Sequence, residues 1–287
     1  CVSAVNGQSF PGMGQWVVVA NLRIDCEGYD GPISQQIHGH FWRVVNNDLS
    51  ASSAPRSGPA IPRMAGITGN GRGSVWYGNR IHDIQGSSGE CHGVYIDGDG
   101  SYDIGFNFIH DIRDGNGFQV YANGRNGTDF ADDIALHHNL IRNVSKHGIN
   151  IADGARDQIR VWNNVVTGTQ LAGVRFNTNI LRSARIWHNT FHDVNLARHR
   201  LYGALVNDWA LPPGSIDVRH NVFQVTSGSP YVSGSVGFSP AAGTIARNLW
   251  SGSEPRGTTP SAASHSPLYR RPMWTCVPVA LPPSHDG

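Results

Sequence analysis

The sequence predicts an all-β chain wound as a parallel β-helix, a solenoid of about eight to nine coils. Three observations carry that prediction. A motif of alternating apolar residues followed by Asn-x-apolar recurs eight times, at Asn47, Asn79, Asn107, Asn139, Asn164, Asn189, Asn221 and Asn248. Successive Asn positions lie 32, 28, 32, 25, 25, 32 and 27 residues apart. Helical periodicity is nearly absent. Repeats of this length, built from short strands and turns, bury their apolar faces only by stacking on one another.

Each repeat reads in the same order. A short strand precedes the Asn, as in Ile134-Ala135-Leu136, Ile159-Arg160-Val161 and Ile216-Asp217-Val218. The Asn then marks a corner, where it tolerates unusual backbone angles and its amide bonds backbone groups. Stacked coil on coil, these residues predict an internal amide ladder. A second strand follows. Then comes Gly and a third alternating strand, at Gly66, Gly93, Gly117, Gly148, Gly173 and Gly203. Within it the first and third residues after Gly point inward and the second points out.

The repeat covers 16–250 and defines one domain, 1–250. Residues 251–287 are rich in Pro, Ser and Gly, lack the pattern, and read as an irregular C-terminal cap or tail. Composition excludes several functions. A formal net charge of +1 gives no reason to expect nucleic acid as a partner, and no apolar run is long enough for a transmembrane helix. Of 22 basic residues only Lys146 is lysine. Four cysteines show no metal spacing; a Cys1–Cys26 disulfide and buried thiols are the two readings, and Cys1 also offers a lipid anchor.

The pattern apolar-x-apolar-x-x-Asn-x-Ile followed by Gly-Ile-x-Ile resembles the repeat of right-handed parallel β-helix proteins, the pectate-lyase-like superfamily. That resemblance implies a secreted or cell-surface protein and a polysaccharide substrate. It also admits non-catalytic adhesins and assembly subunits.

Stacking turns sequence columns into surface neighbours about 4.8 Å apart. The residue before each Gly gives His92, Asn116, His147, Ala172 and Tyr202. The first outward position gives Thr68, Tyr95, Gln119, Asn150, Arg175 and Leu205. The next gives Asn70, Asp97, Tyr121, Ala152, Asn177 and Asn207. So dense a set of polar and aromatic residues predicts a binding or catalytic face. Unequal loops point to groove walls: Asn to Gly takes 14 residues after Asn79 and Asn189, against 9 or 10 in the middle coils, and 123–133 is inserted after Gly117.

Chemistry can be assigned for a lyase acting on uronic acids by β-elimination. Arg175 suits neutralising a carboxylate, because its guanidinium grips one through two parallel bonds. His147 is the expected base, with Lys146 as the alternative, and Tyr121 or Tyr95 the proton donor. His92, Tyr95, Gln119, Asn150 and Asn177 are expected to bind substrate. A glycoside hydrolase would need two carboxylates flanking the bond, and Asp97 is the only acid in these columns. A binding-only β-helix is the third reading. Asp97, Asp99 and Asp103 alternate in a Gly-rich turn and suit calcium. A lesser acidic group is Asp129, Asp132 and Asp133. His82 and His110 occupy one corner column and could share a metal, though a structural corner pair fits that pattern better.

Overall fold

The computed structural model describes residues 2–3, 15–26, 32–35, 40–51, 65–86, 90–98, 100–122, 130–226 and 228–251. Over these residues the chain forms three parallel sheets of nine strands each, with strands visited in strict rotation. Sheet 1 contains the strands that follow Gly, sheet 2 those that precede Asn, and sheet 3 those that follow Asn. The only helical element among the described residues is a single 3-10 turn, Pro240–Ala242. Coil count and strand order agree with the sequence prediction. The tail beyond residue 251 and the segment 123–129 lie outside the described residues.

Each sheet turns its inward side-chain columns into the core. In sheet 1, Ile33, Ile67, Val94, Phe118, Ile149, Val174 and Leu205 align and are fully buried. Sheet 3 ends in a stack of rings, Phe191 on Phe223 at 4.9 Å and Phe223 on Trp250 at 4.5 Å. The glycines exist for want of space. A Cβ on Gly117 would lie 2.6 Å from both Gly148 O and Ile141 Cγ2, so a side chain there would push sheet 1 off sheet 3.

The amide ladder is continuous. Asn47 Nδ2 donates to Asn79 Oδ1 at 3.0 Å, and the same bond repeats at 2.9–3.0 Å through to Asn248. Each Oδ1 also accepts the backbone N–H of the preceding Asn, as Asn139 Oδ1 does from Asn107 at 3.0 Å. The second Nδ2 proton goes to a carbonyl of sheet 2, for example Trp76 O from Asn107. One detail differs from expectation. The left-handed residue at this corner is the one before the Asn: Gly78, Phe106, His138, Asn163, His188 and His220 all have φ between 54° and 65°. That kink turns the Asn side chain inward, where it bridges coils.

The strand after Gly203 is shifted by one residue from the expected register. The repeats predict that Gly203 continues the glycine column, but Ala204 does. Val174 N donates to Ala204 O at 2.9 Å, and Val174 pairs with Leu205, Arg175 with Val206 and Phe176 with Asn207. A one-residue shift exchanges the faces of every side chain in a strand. Leu205 is therefore core, and Asp208 rather than Asn207 follows Asn177 in the outward column. Leu205 and Val206 are both apolar, so alternation alone does not fix their phase.

Among the described residues no helix is long and apolar enough to cross a membrane. Cys26 is disulfide-bonded and Cys91 is a buried thiol; Cys1, the partner and anchor position considered above, lies outside the described residues.

Candidate functional site

The outward face of sheet 1 carries a cleft of about 300 Å³. Strands His92–Asp97, Phe118–Tyr121, Ile149–Ile151 and Val174–Phe176 form its floor in four successive coils. It is lined by His92, Tyr95, Gln119, Tyr121, Lys146, His147, Asn150, Arg175 and Asn177, together with Glu90 and Asn116. The structure thus brings together all nine residues expected to catalyse or bind. Lys146 and His147 are sequence neighbours yet both line the cleft. They sit in the bend before strand Ile149–Ile151, where the alternation of a strand does not apply.

The column before the glycines forms a second ladder. His92 Nδ1 accepts Asn116 N–H at 3.0 Å, Asn116 Oδ1 accepts His147 N–H at 3.0 Å, and His147 Nδ1 accepts Ala172 N–H at 3.1 Å. These bonds fix the tautomer, because a nitrogen that accepts a backbone N–H carries no proton. Neutral His92 and His147 therefore keep their proton on Nε2. Burial, then the charge of Lys146, pushes the His92 pKa down to about 3. Burial, then Arg175, Lys146 and His199, holds His147 well below the usual histidine range. Both rings are neutral hydrogen-bond donors at Nε2 near neutral pH. The expectation that His147 is the base is thereby corrected: its one lone pair already holds a backbone N–H.

This has a consequence for stability. Both histidines have folded pKa values below their unfolded values, so between those values the unfolded chain binds more protons. Stability from burying them neutral is complete above the unfolded pKa near 6.5. It is lost as pH falls from there toward 3, by about 1.4 kcal/mol per pH unit for His92. Asn116 does the same bonding in the adjacent coil, so His92→Asn keeps the ladder and flattens this acid limb. Urea midpoints between pH 7 and 4 check it; an unchanged pH slope in the variant would contradict the assignment.

Arg175 is held by a residue the sequence did not reveal. Its Nε donates to Asp208 at 2.7 Å and its Nη2 to Asn177 Oδ1 at 3.3 Å. Asp208 is itself fastened by Ser235 N–H and Oγ at 3.2 and 3.1 Å. The amides are ordered too. Gln119 Oε1 accepts from Asn116 Nδ2 at 2.8 Å and Asn150 Nδ2 at 2.7 Å. Asn150 Oδ1, in a residue only 4% exposed, has no donor among the described residues. A buried acceptor of this kind is costly until a ligand or water donates to it. Tyr95 and Tyr121 stack along the cleft with centroids 6.1 Å apart.

Of the residues expected to hold calcium, Asp97 and Asp103 stand on different sheets. Asp97 ends a strand of sheet 1, Asp99 lies outside the described residues, and Asp103 belongs to sheet 2. There Asp103 accepts from Tyr77 Oη at 2.7 Å and meets His137 Nε2 at 2.8 Å. Asp132 and Asp133 are ion-paired with Arg156 and Arg160. The His82 and His110 rings stack at 5.1 Å, with His82 held between Asp48 and Asp83 and His110 on Asp111. That is a corner pair held by carboxylates. Among the described residues no group of three or more His, Cys, Asp or Glu is arranged to hold a metal.

Fold and site together define a parallel β-solenoid with a polar, cation-bearing cleft across four coils. No protein-family model matches the chain, and no curated protein sequence matches it.

Proposed function

We propose that the chain is an extracellular carbohydrate-active enzyme of the pectate-lyase-like kind, a lyase that cleaves uronic-acid-containing polysaccharide by β-elimination. The observation that carries this reading is the composition of the cleft. Arg175, Lys146 and two imidazole N–H donors share one open groove with stacked tyrosines and an amide array. Such a groove suits a chain bearing both carboxylates and hydroxyls.

The roles follow from the chemistry of each side chain. Arg175 is turned by Asp208 so that its remaining N–H groups can neutralise the substrate carboxylate, which acidifies the neighbouring C–H. With both histidine lone pairs occupied, the Lys146 nitrogen is the group assigned to take that proton. The electron pair forms the carbon–carbon double bond as the adjacent glycosidic C–O bond breaks. Tyr121 or Tyr95 gives its phenolic proton to the leaving oxygen. His92 and His147 donate from Nε2 to substrate oxygens, and Asn150 Oδ1 accepts a sugar hydroxyl. Hydrolysis is less well supplied, since among the described lining residues Glu90 at the exposed rim is the one carboxylate.

The test is appearance of the unsaturated product from wild type and from Lys146→Ala. Product from wild type with loss in the variant supports the reading. Glycan binding without product would leave a binding protein instead.

A further inference from the structure

The cleft floor ends at Arg175 and Asn177, but the structure continues beyond it. The next coil brings strand Leu205–Asn207 alongside Val174–Phe176, and its loop carries Asp208 and Trp209. Trp209 is 47% exposed. Its indole N–H donates to Asn177 Oδ1 at 2.9 Å, the same oxygen that accepts from Arg175 Nη2. Among the described residues no other ring stacks on it. A large aromatic surface in water loses contact energy unless something covers it, and a ring pinned through its N–H has little freedom left to lose on binding. The preceding residue, Asp208, is fixed at both oxygens by Arg175 and Ser235. This loop is therefore anchored to the cleft at two adjacent residues.

Given the glycan reading of the cleft, on which this rests, we infer that Trp209 is a sugar-stacking platform that extends the cleft by one coil. The coil step of about 4.8 Å carries a chain bound across the coils from Asn177 directly over the indole. Its ligand is the apolar face of a pyranose ring, whose axial C–H groups pack on an aromatic face while the equatorial hydroxyls stay in water. Charge plays little part in that contact. The platform therefore serves acidic and neutral residues alike and discriminates by chain length.

The experiment compares wild type, Trp209→Ala and Trp209→Phe on uronate oligosaccharides of increasing length and on polymer. Trp209→Ala lowers the ratio of kcat/KM on polymer to kcat/KM on the trimer about tenfold, through KM. Trp209→Phe keeps a ring without the N–H and retains most of the ratio. An unchanged ratio in Trp209→Ala would overturn the platform, as would an equal fall on every length. Tryptophan fluorescence titrations with acidic and neutral oligosaccharides separate this inference from the lyase reading. A ligand-induced change present in wild type and lost in Trp209→Ala supports the platform even where no product forms. No change with any glycan overturns it.

Discussion

Arg175→Ala lowers turnover of a uronate polymer by about a thousand-fold, the upper end of what one electrostatic donor supplies. The protein stays folded, because Asp208 keeps its bonds to Ser235 N–H and Oγ when the guanidinium leaves. Arg175→Lys recovers little of the rate. A lysine is a point charge without the planar fork that can hold Asp208 on one edge and substrate on another. Asp208→Asn separates positioning from contact. It leaves the charge of Arg175 but loosens its aim, so KM rises about tenfold while kcat changes less. Rates for all three variants, with melting curves to confirm folding, check this. Near-normal turnover in Arg175→Ala would make the residue structural only.

Asn139→Ala destabilises the solenoid by about 3–5 kcal/mol and lowers the melting temperature by roughly 10 °C. Asn139 Oδ1 is the acceptor for both the backbone N–H and a side-chain N–H of Asn107, and its own Nδ2 donates to Asn164 Oδ1 and Ile104 O. Truncation strands the two donors of Asn107 in a dry corner, and each orphan costs about 1–3 kcal/mol. The exposed Gln170 is the control; Gln170→Ala stays within about 0.5 kcal/mol. Equal melting temperatures for the two variants would mean that the ladder merely accompanies the fold.

The fold was legible because a solenoid writes its geometry into sequence spacing. An Asn column at 25–32 residues and an alternating strand after Gly each correspond to one stacked feature. The cleft was legible for the same reason: residues 24 to 33 apart in sequence, such as Gln119 and Asn150, become neighbours once coils stack. What failed was local. At Ala204 the run Ala204-Leu205-Val206 has no polar residue to set its phase, so the column slipped by one and hid Asp208. Glu90 and Trp209 sit in loops, to which strand periodicity does not extend. The role of His147 is hidden for another reason. Sequence shows that an imidazole is present but not which of its nitrogens a backbone N–H has claimed.

The proposed reaction is β-elimination on an acidic glycan in this cleft. Ultraviolet absorbance during incubation with alginate, pectate, glucuronan and glycosaminoglycans, with and without a calcium chelator, tests it most directly. Absorbance from an unsaturated uronate is expected on at least one of these, lost in Lys146→Ala and Arg175→Ala. Folded protein that leaves every polymer in the panel without absorbance change would contradict it.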